Sequence, residues 1–143
     1  MKKMLGVELS PDTYTVTRDW VHRFSEAVED HKPLWRDEGY ASKTKYNGVI
    51  CPPSFILLME HREQFNWVRT VNCRLKGVLY GGAEIEYHVP LRPGDVINVK
   101  AKLVDIQEKK GKSGQIVFLV AERTFTNQRG ELVAKAKSTF IRN

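Results

Sequence analysis

The chain has 143 residues, with 23 lysines and arginines against 17 aspartates and glutamates, for a formal net charge of +6. That length suits one compact domain, residues 1–143, and 41% hydrophobic with 28% charged residues excludes a disordered chain. The positive balance favours anionic partners in general, but the basic residues are scattered and no helix-turn-helix, zinc-finger or RNP-like motif accompanies them, so nucleic acid is not the expected partner.

Taken in chain order, Met1-Lys2-Lys3-Met4-Leu5 carries lysines but no apolar h-region, which sets the cytoplasm as the expected compartment. Tyr14-Thr15-Val16 reads as a short extended stretch, and Thr17 as the cap of a helix starting at Arg18-Asp19-Trp20. Val21, Phe24, Ala27 and Val28 fall on one face of that helix, which should end near Glu29-Asp30. Proline disfavours the helical conformation in the residue before it, so Lys32-Pro33 belongs to a loop. Asp37 then opens a short helical turn through Tyr40-Ala41.

Gly48 to Pro53 is a loop into a longer helix, Ser54 to His61, because proline is tolerated in a first helical turn. Its run Phe55-Ile56-Leu57-Leu58-Met59 is apolar on every side, yet far too short to span a bilayer, so other structure must wrap it. Strand periodicity follows over Ala83–His88, Val96–Val104, Ile116–Ala121 and Leu132–Phe140, with turns at 110–114 and at Asn127–Gly130. Lys109-Lys110-Gly111-Lys112 is open to two readings, a solvated hairpin turn or a basic binding patch. One apolar helix followed by a multistranded antiparallel sheet predicts an α+β fold.

Glu29-Asp30-His31-Lys32-Pro33-Leu34-Trp35, followed by Ala41, resembles an acyl-thioester hydratase signature, Gly-Asp-x-Asn-Pro-(Leu/Ile/Val)-His, then five residues and Ala or Ser. Asp30, Pro33, Leu34 and Ala41 fit, whereas Glu29, Lys32 and Trp35 stand for the Gly, Asn and His. Indole can only donate a hydrogen bond, so Trp35 cannot take a proton from water, and half of the expected acid-base pair is missing. Together with Pro52-Pro53-x-Phe55 and Pro90-Leu91-Arg92-Pro93-Gly94-Asp95, this order and spacing resembles the N-terminal-type domain of MaoC-like dehydratases, the FAS1-like dehydratase domain, over nearly the whole chain.

The resemblance implies a hot-dog domain, an antiparallel sheet around a long central helix, paired with a catalytic MaoC-like subunit that carries the intact Asp and His. It implies reversible hydration of a trans-2-enoyl thioester to a (3R)-hydroxyacyl thioester on coenzyme A or acyl carrier protein. A curled sheet leaves edge strands that pairing between two units would cover, so a dimer or larger assembly is expected, and no metal or other cofactor is expected. Under that resemblance Pro33, Trp35, Pro52, Pro53 and Phe55 are expected to bind the acyl chain, and no catalytic residue is expected at the degenerate positions Asp30 and Trp35. Two alternatives stand beside it. One is a homo-oligomeric acyl-thioester binding protein, and the other a stand-alone hydratase or thioesterase using Asp30.

Plainer roles compete at each residue. Asp30 before Pro33 suits a turn, and Trp20, Trp35 and Trp67 suit packing. His22, His31, His61 and His88 form no ligand cluster with carboxylates or cysteines at metal spacing. Cys51 and Cys73 are expected as reduced thiols, with Cys51 open to a reactive role at a helix N-terminus.

Overall fold

The structure is a computed structural model that describes residues 5–8, 11–59, 78–111 and 114–142. It consists of β1 (Asp12–Thr15), α1 (Arg18–Ala27), α2 (Glu38–Ala41), β2 (Val78–Tyr87), β3 (Val96–Gly111), β4 (Gly114–Thr126) and β5 (Leu132–Arg142), with 3-10 turns at Pro33–Trp35 and Pro53–Phe55. The five strands form one sheet of order β1-β3-β4-β5-β2, antiparallel throughout. This is the α+β class that the sequence predicts. Residues 56–59 continue the Pro53–Phe55 turn as helix. The end of that expected helix, Glu60 and His61, lies outside the described residues, as do Trp67 and Cys73.

Strand alternation divides the sheet into two chemically distinct faces. Ile97, Val99, Phe125, Ala134 and Ala136 point inward and form one core with Phe55, Ile56 and Met59 of the helical segment. A second cluster, Leu103, Ile106, Leu119 and Phe140 among its members, lies further along the same sheet. Arg123 is also on the inner face, opposite the small side chains of Ala101 and Ala136, with its guanidinium 5.6 Å from the Phe140 ring centroid. The outer face carries charges of alternating sign in register. Glu84 lies opposite Lys137, Lys137 opposite Glu122, and Glu122 opposite Lys102, whose ammonium is 3.6 Å from the Glu122 carboxylate. Opposite charges across strands stabilise the pairing by roughly 0.2–1 kcal/mol each.

The strands run further than their hydrophobic alternation. β3 and β4 extend to a pairing of Gly111 with Gly114, through a polar arm in which Lys109 opposes Ile116 and Lys110 opposes Gln115. Backbone pairing continues there without a buried face, and a shift between Leu103 and Asp105 interrupts the period, so the arm is invisible to an alternation test.

Thr17 caps α1 as expected, its hydroxyl oxygen accepting from the Trp20 N–H at 3.1 Å. The expected buried face needs correction: Val21 and Ser25 are buried, Trp20 and Phe24 pack on the core, and Ala27 and Val28 are exposed. The helix stops at Ala27, so Val28 never reaches the core side, while Ser25 tolerates burial by donating its hydroxyl proton to the Asp30 carbonyl. Trp20 and Phe24 both meet Phe55 edge to face, with ring centroids 4.9 Å and 5.4 Å apart.

Glu29 ends the helix with φ +54°, in the left-handed region. This conformation costs a residue with a Cβ roughly 1–2 kcal/mol and glycine very little. The glycine of the hydratase signature therefore has a backbone reason at this position, one that Glu29 overrides. Glu29→Gly should stabilise the fold by about 1 kcal/mol in urea or thermal melts, with part of the gain offset by glycine's larger unfolded-state entropy; a destabilised variant contradicts this account of the turn.

Candidate functional site

The signature loop is a compact chain of short turns. Lys32 is extended ahead of Pro33, Trp35 N–H reaches the Lys32 carbonyl at 3.1 Å, and Asp37 N–H reaches that of Pro33 at 2.8 Å. The Asp37 carboxylate then caps α2 by accepting from the Tyr40 N–H at 3.0 Å. Ala41, the signature's small residue, is fully buried, and its carbonyl accepts from Gly48 N–H.

Within this loop Asp30 and Trp35 occupy the positions of the signature's acid-base pair. Lys32 Nζ lies 3.2 Å from the Asp30 carboxylate, and 5.8 Å from the Trp35 ring centroid. Trp35 is only 8% exposed, and its indole N–H has no hydrogen-bond partner of full geometry among the described residues. The same N–H is nevertheless the foremost influence holding the Asp30 carboxyl below its ordinary range, followed among favourable effects by Lys32. The indole N–H thus favours the charged carboxylate without making a formed hydrogen bond to it. Asp30 is thus a carboxylate surrounded by donors, a weaker base than a free aspartate.

Neighbouring charges fasten the loop to α1. Arg36 donates to the Glu26 carboxylate, with His31 Nδ1 at 3.4 Å and His22 Nε2 at 3.8 Å from the same oxygen. The Arg36 hydrogen bond, ahead of the two histidines, holds the Glu26 carboxyl below its ordinary range.

A second feature lies at the entrance to the helical segment. Pro52, Pro53, Ile50, Tyr46, Tyr87 and Val89 line a mainly apolar cleft of about 310 Å³. The Tyr87 hydroxyl donates to the Pro53 carbonyl at 2.5 Å, which joins the end of β2 to the Pro53–Phe55 turn. Across the floor, Cys51 N–H bonds the Leu91 carbonyl at 2.8 Å. Burial, followed by the Asp95 carboxylate, pushes the Cys51 thiol far up, so the sulfur stays protonated and unreactive.

The Pro90–Asp95 segment is a turn between β2 and β3, and it fixes the cleft. The Arg92 guanidinium donates to the carbonyls of Tyr46 and Val49, while Asp95 accepts from Arg92 N–H at 2.9 Å. Gly48, with φ +137°, leaves space beside that guanidinium, since a Cβ there would lie 3.3 Å from Nη1.

The five residues expected to bind an acyl chain are thereby distributed over four places. Pro52 and Pro53 line the apolar cleft. Trp35 lines a smaller hollow of about 260 Å³ with Val49, Arg18 and Arg36, and Pro33 is exposed at the start of its turn. Phe55 is fully buried against Trp20 and Phe24. Tyr46, Tyr87 and Val89 were not foreseen in the cleft, because they reach it from segments remote in sequence and belong to no local motif.

Comparison with known proteins places these features in context. A family model described as FAS1-like, dehydratase domain region, matches residues 3–136. A UPF0336 protein of Saccharopolyspora erythraea is 31% identical over 143 residues, covering 98% of this chain and 89% of that protein. A probable enoyl-CoA hydratase alpha subunit of Thermomonospora curvata is 31% identical over 150 residues, covering 92% of this chain and 45% of that protein. Among solved structures, the C-terminally truncated HadBC (3R-hydroxyacyl-ACP dehydratase) complex of Mycobacterium tuberculosis superposes with a TM-score of 0.83 at 23% identity, covering 96% of each chain.

The facing of Asp30 and Trp35 has a measurable acid-base consequence. Trp35→Phe should raise the Asp30 pKa toward the ordinary 3.8 without reaching it, because Lys32 remains, as followed by carboxyl carbon NMR. A carboxyl lowered in the folded state adds stability that is complete above the unfolded value and is lost as pH falls through the folded one. Urea unfolding should therefore show the wild type losing more stability than the variant as pH is taken from about 5 down through the acid range.

Proposed function

The chain belongs to the FAS1-like dehydratase domain family of MaoC-like hot-dog hydratases and dehydratases, and from that premise we propose that it is a non-catalytic, acyl-chain-binding subunit of an (R)-specific enoyl-thioester hydratase. The observation that carries this is the state of Asp30, a carboxylate held by Lys32 and facing the indole N–H of Trp35. Hydration of a trans-2-enoyl thioester needs a base for the water attacking C3, a proton for C2, and donors that polarise the thioester carbonyl. Trp35 supplies no base, and a lowered carboxyl pKa makes Asp30 a poorer one. The acid-base pair comes from a MaoC-like partner.

The apolar cleft is this chain's contribution. Acyl methylenes are stabilised by leaving water at about 0.8 kcal/mol per buried CH₂. About 310 Å³ is at the small end for a ligand pocket, and the cleft reaches the end of edge strand β2, so a partner docked along that edge completes its wall. The thioester is carried on coenzyme A or acyl carrier protein, either of which suits the +6 chain.

Purified chain should show no crotonyl-CoA hydration above background, and adding a catalytic MaoC-like subunit should restore turnover. Asp30→Asn in the mixed complex should change kcat by less than about twofold, since a base that contributes to proton transfer is worth roughly 10²–10⁴. Vigorous turnover by the chain alone, abolished by Asp30→Asn, would establish a stand-alone hydratase instead. For the cleft, Val89→Phe should move the acyl-length profile of the mixed complex toward shorter chains, read as KM rising for long substrates with short ones unaffected.

A further inference from the structure

The sheet has two terminal strands, and they differ in kind. β1 is four residues long, whereas β2 offers ten residues of backbone on its free side. Long edges with apolar side chains are templates for another strand. On the inner face of β2, Tyr80 and Tyr87 remain 41% and 47% exposed, with half-buried Ile85 between them. On the outer face the edge carries Glu84 and Glu86, opposite Lys137 and Lys135 of β5. Glu86 also contacts His88, whose Nε2 is 3.0 Å away.

We propose that β2 is an assembly edge whose outer glutamates select a non-identical hot-dog chain, one presenting lysine or arginine at the facing positions of its own pairing strand. The inference rests on the subunit reading above and names which partner that subunit accepts. One row of outer residues, Lys102, Glu122, Lys137 and Glu84, alternates in sign across the sheet, and the next, Lys100, Thr124, Lys135 and Glu86, closes with a lysine opposite a glutamate; both stop at a glutamate on β2, so the next residue that pairs with opposite charge is a cation. A second copy of this chain breaks it. Two copies paired antiparallel with their cores on the same side bring outer residues opposite outer residues. In registers centred from Ala83 to Ile85, a glutamate of one copy then lies directly or diagonally across from a glutamate of the other. Like charges at those spacings destabilise pairing. The +6 total charge acts at longer range and is screened beyond about 8 Å at physiological salt, so the contact charges decide.

Sedimentation velocity or native mass spectrometry at micromolar concentration tests this with three samples: the wild-type chain, the Glu84→Lys/Glu86→Lys variant, and their equimolar mixture. The mixture should associate at least about tenfold more tightly than either chain alone, as expected from several cross-strand pairs changing sign together. The advantage should shrink at high salt. A mixture no tighter than the wild-type chain overturns the proposal, as does a wild-type homodimer of equal affinity. Circular dichroism establishes that the lysine variant folds. If it does not, Glu84→Gln/Glu86→Gln serves instead, and must self-associate more tightly than wild type, no gain again overturning the proposal. These measurements read association alone, so their failure leaves the hydratase reading standing, and an inactive mixed complex leaves the edge result standing.

Discussion

Asp95 is the point at which the separate parts of the molecule are tied together. Its carboxylate is buried and accepts from Arg92 N–H and from the Gln128 side chain, while its carbonyl accepts from Val16 N–H. A buried carboxylate is tolerable only with such partners. Through them the end of β1, the β4–β5 turn and the segment leading into β3 are held at one place. Arg92, positioned by the same turn, grips the carbonyls of Tyr46 and Val49 and so sets the path of the chain into Cys51 and Pro52. The apolar cleft is shaped by this polar knot as well as by the hydrophobic core behind it.

The signature loop separates two functions that a shared motif makes easy to confuse. Its scaffold is intact. Pro33 starts a 3-10 turn, Asp37 caps the following helix, and Ala41 fits where its side chain is fully buried. What has changed is the protonic chemistry, since Trp35 and Lys32 are donors placed around a carboxylate. A loop that keeps its shape after losing its base remains useful in an assembly, because shape, and not proton transfer, is what a neighbouring chain packs against.

Much of the fold was legible where one residue type has one physical use. Thr17 as a cap, Asp37 as a second cap, and Lys32-Pro33 as loop and not helix each follow from local hydrogen bonding or sterics, and each is present. Periodicity located all four long strands but not their ends, because residues 105–111 pair through backbone without alternating burial. It also assigned Ala27 and Val28 to the core, since nothing local signals that a left-handed Glu29 ends the helix early. The cleft was half legible: Pro52 and Pro53 belong to a recognisable motif, whereas Tyr87 arrives by a contact 34 residues distant in sequence. Non-local closure of that kind has no signature in a single chain.

The Asp30–Lys32–Trp35 arrangement also bears on how such a chain evolves. Restoring a histidine at position 35 alone would set it beside a carboxylate already committed to the Lys32 ammonium, 3.2 Å away. The lysine would compete for the carboxylate that must orient the imidazole and would lower the affinity of that ring for a proton. Replacing Lys32 first leaves a partly buried carboxylate with one fewer cation and still no base. A free carboxylate beside a basic imidazole therefore needs both substitutions together, and neither alone supplies it.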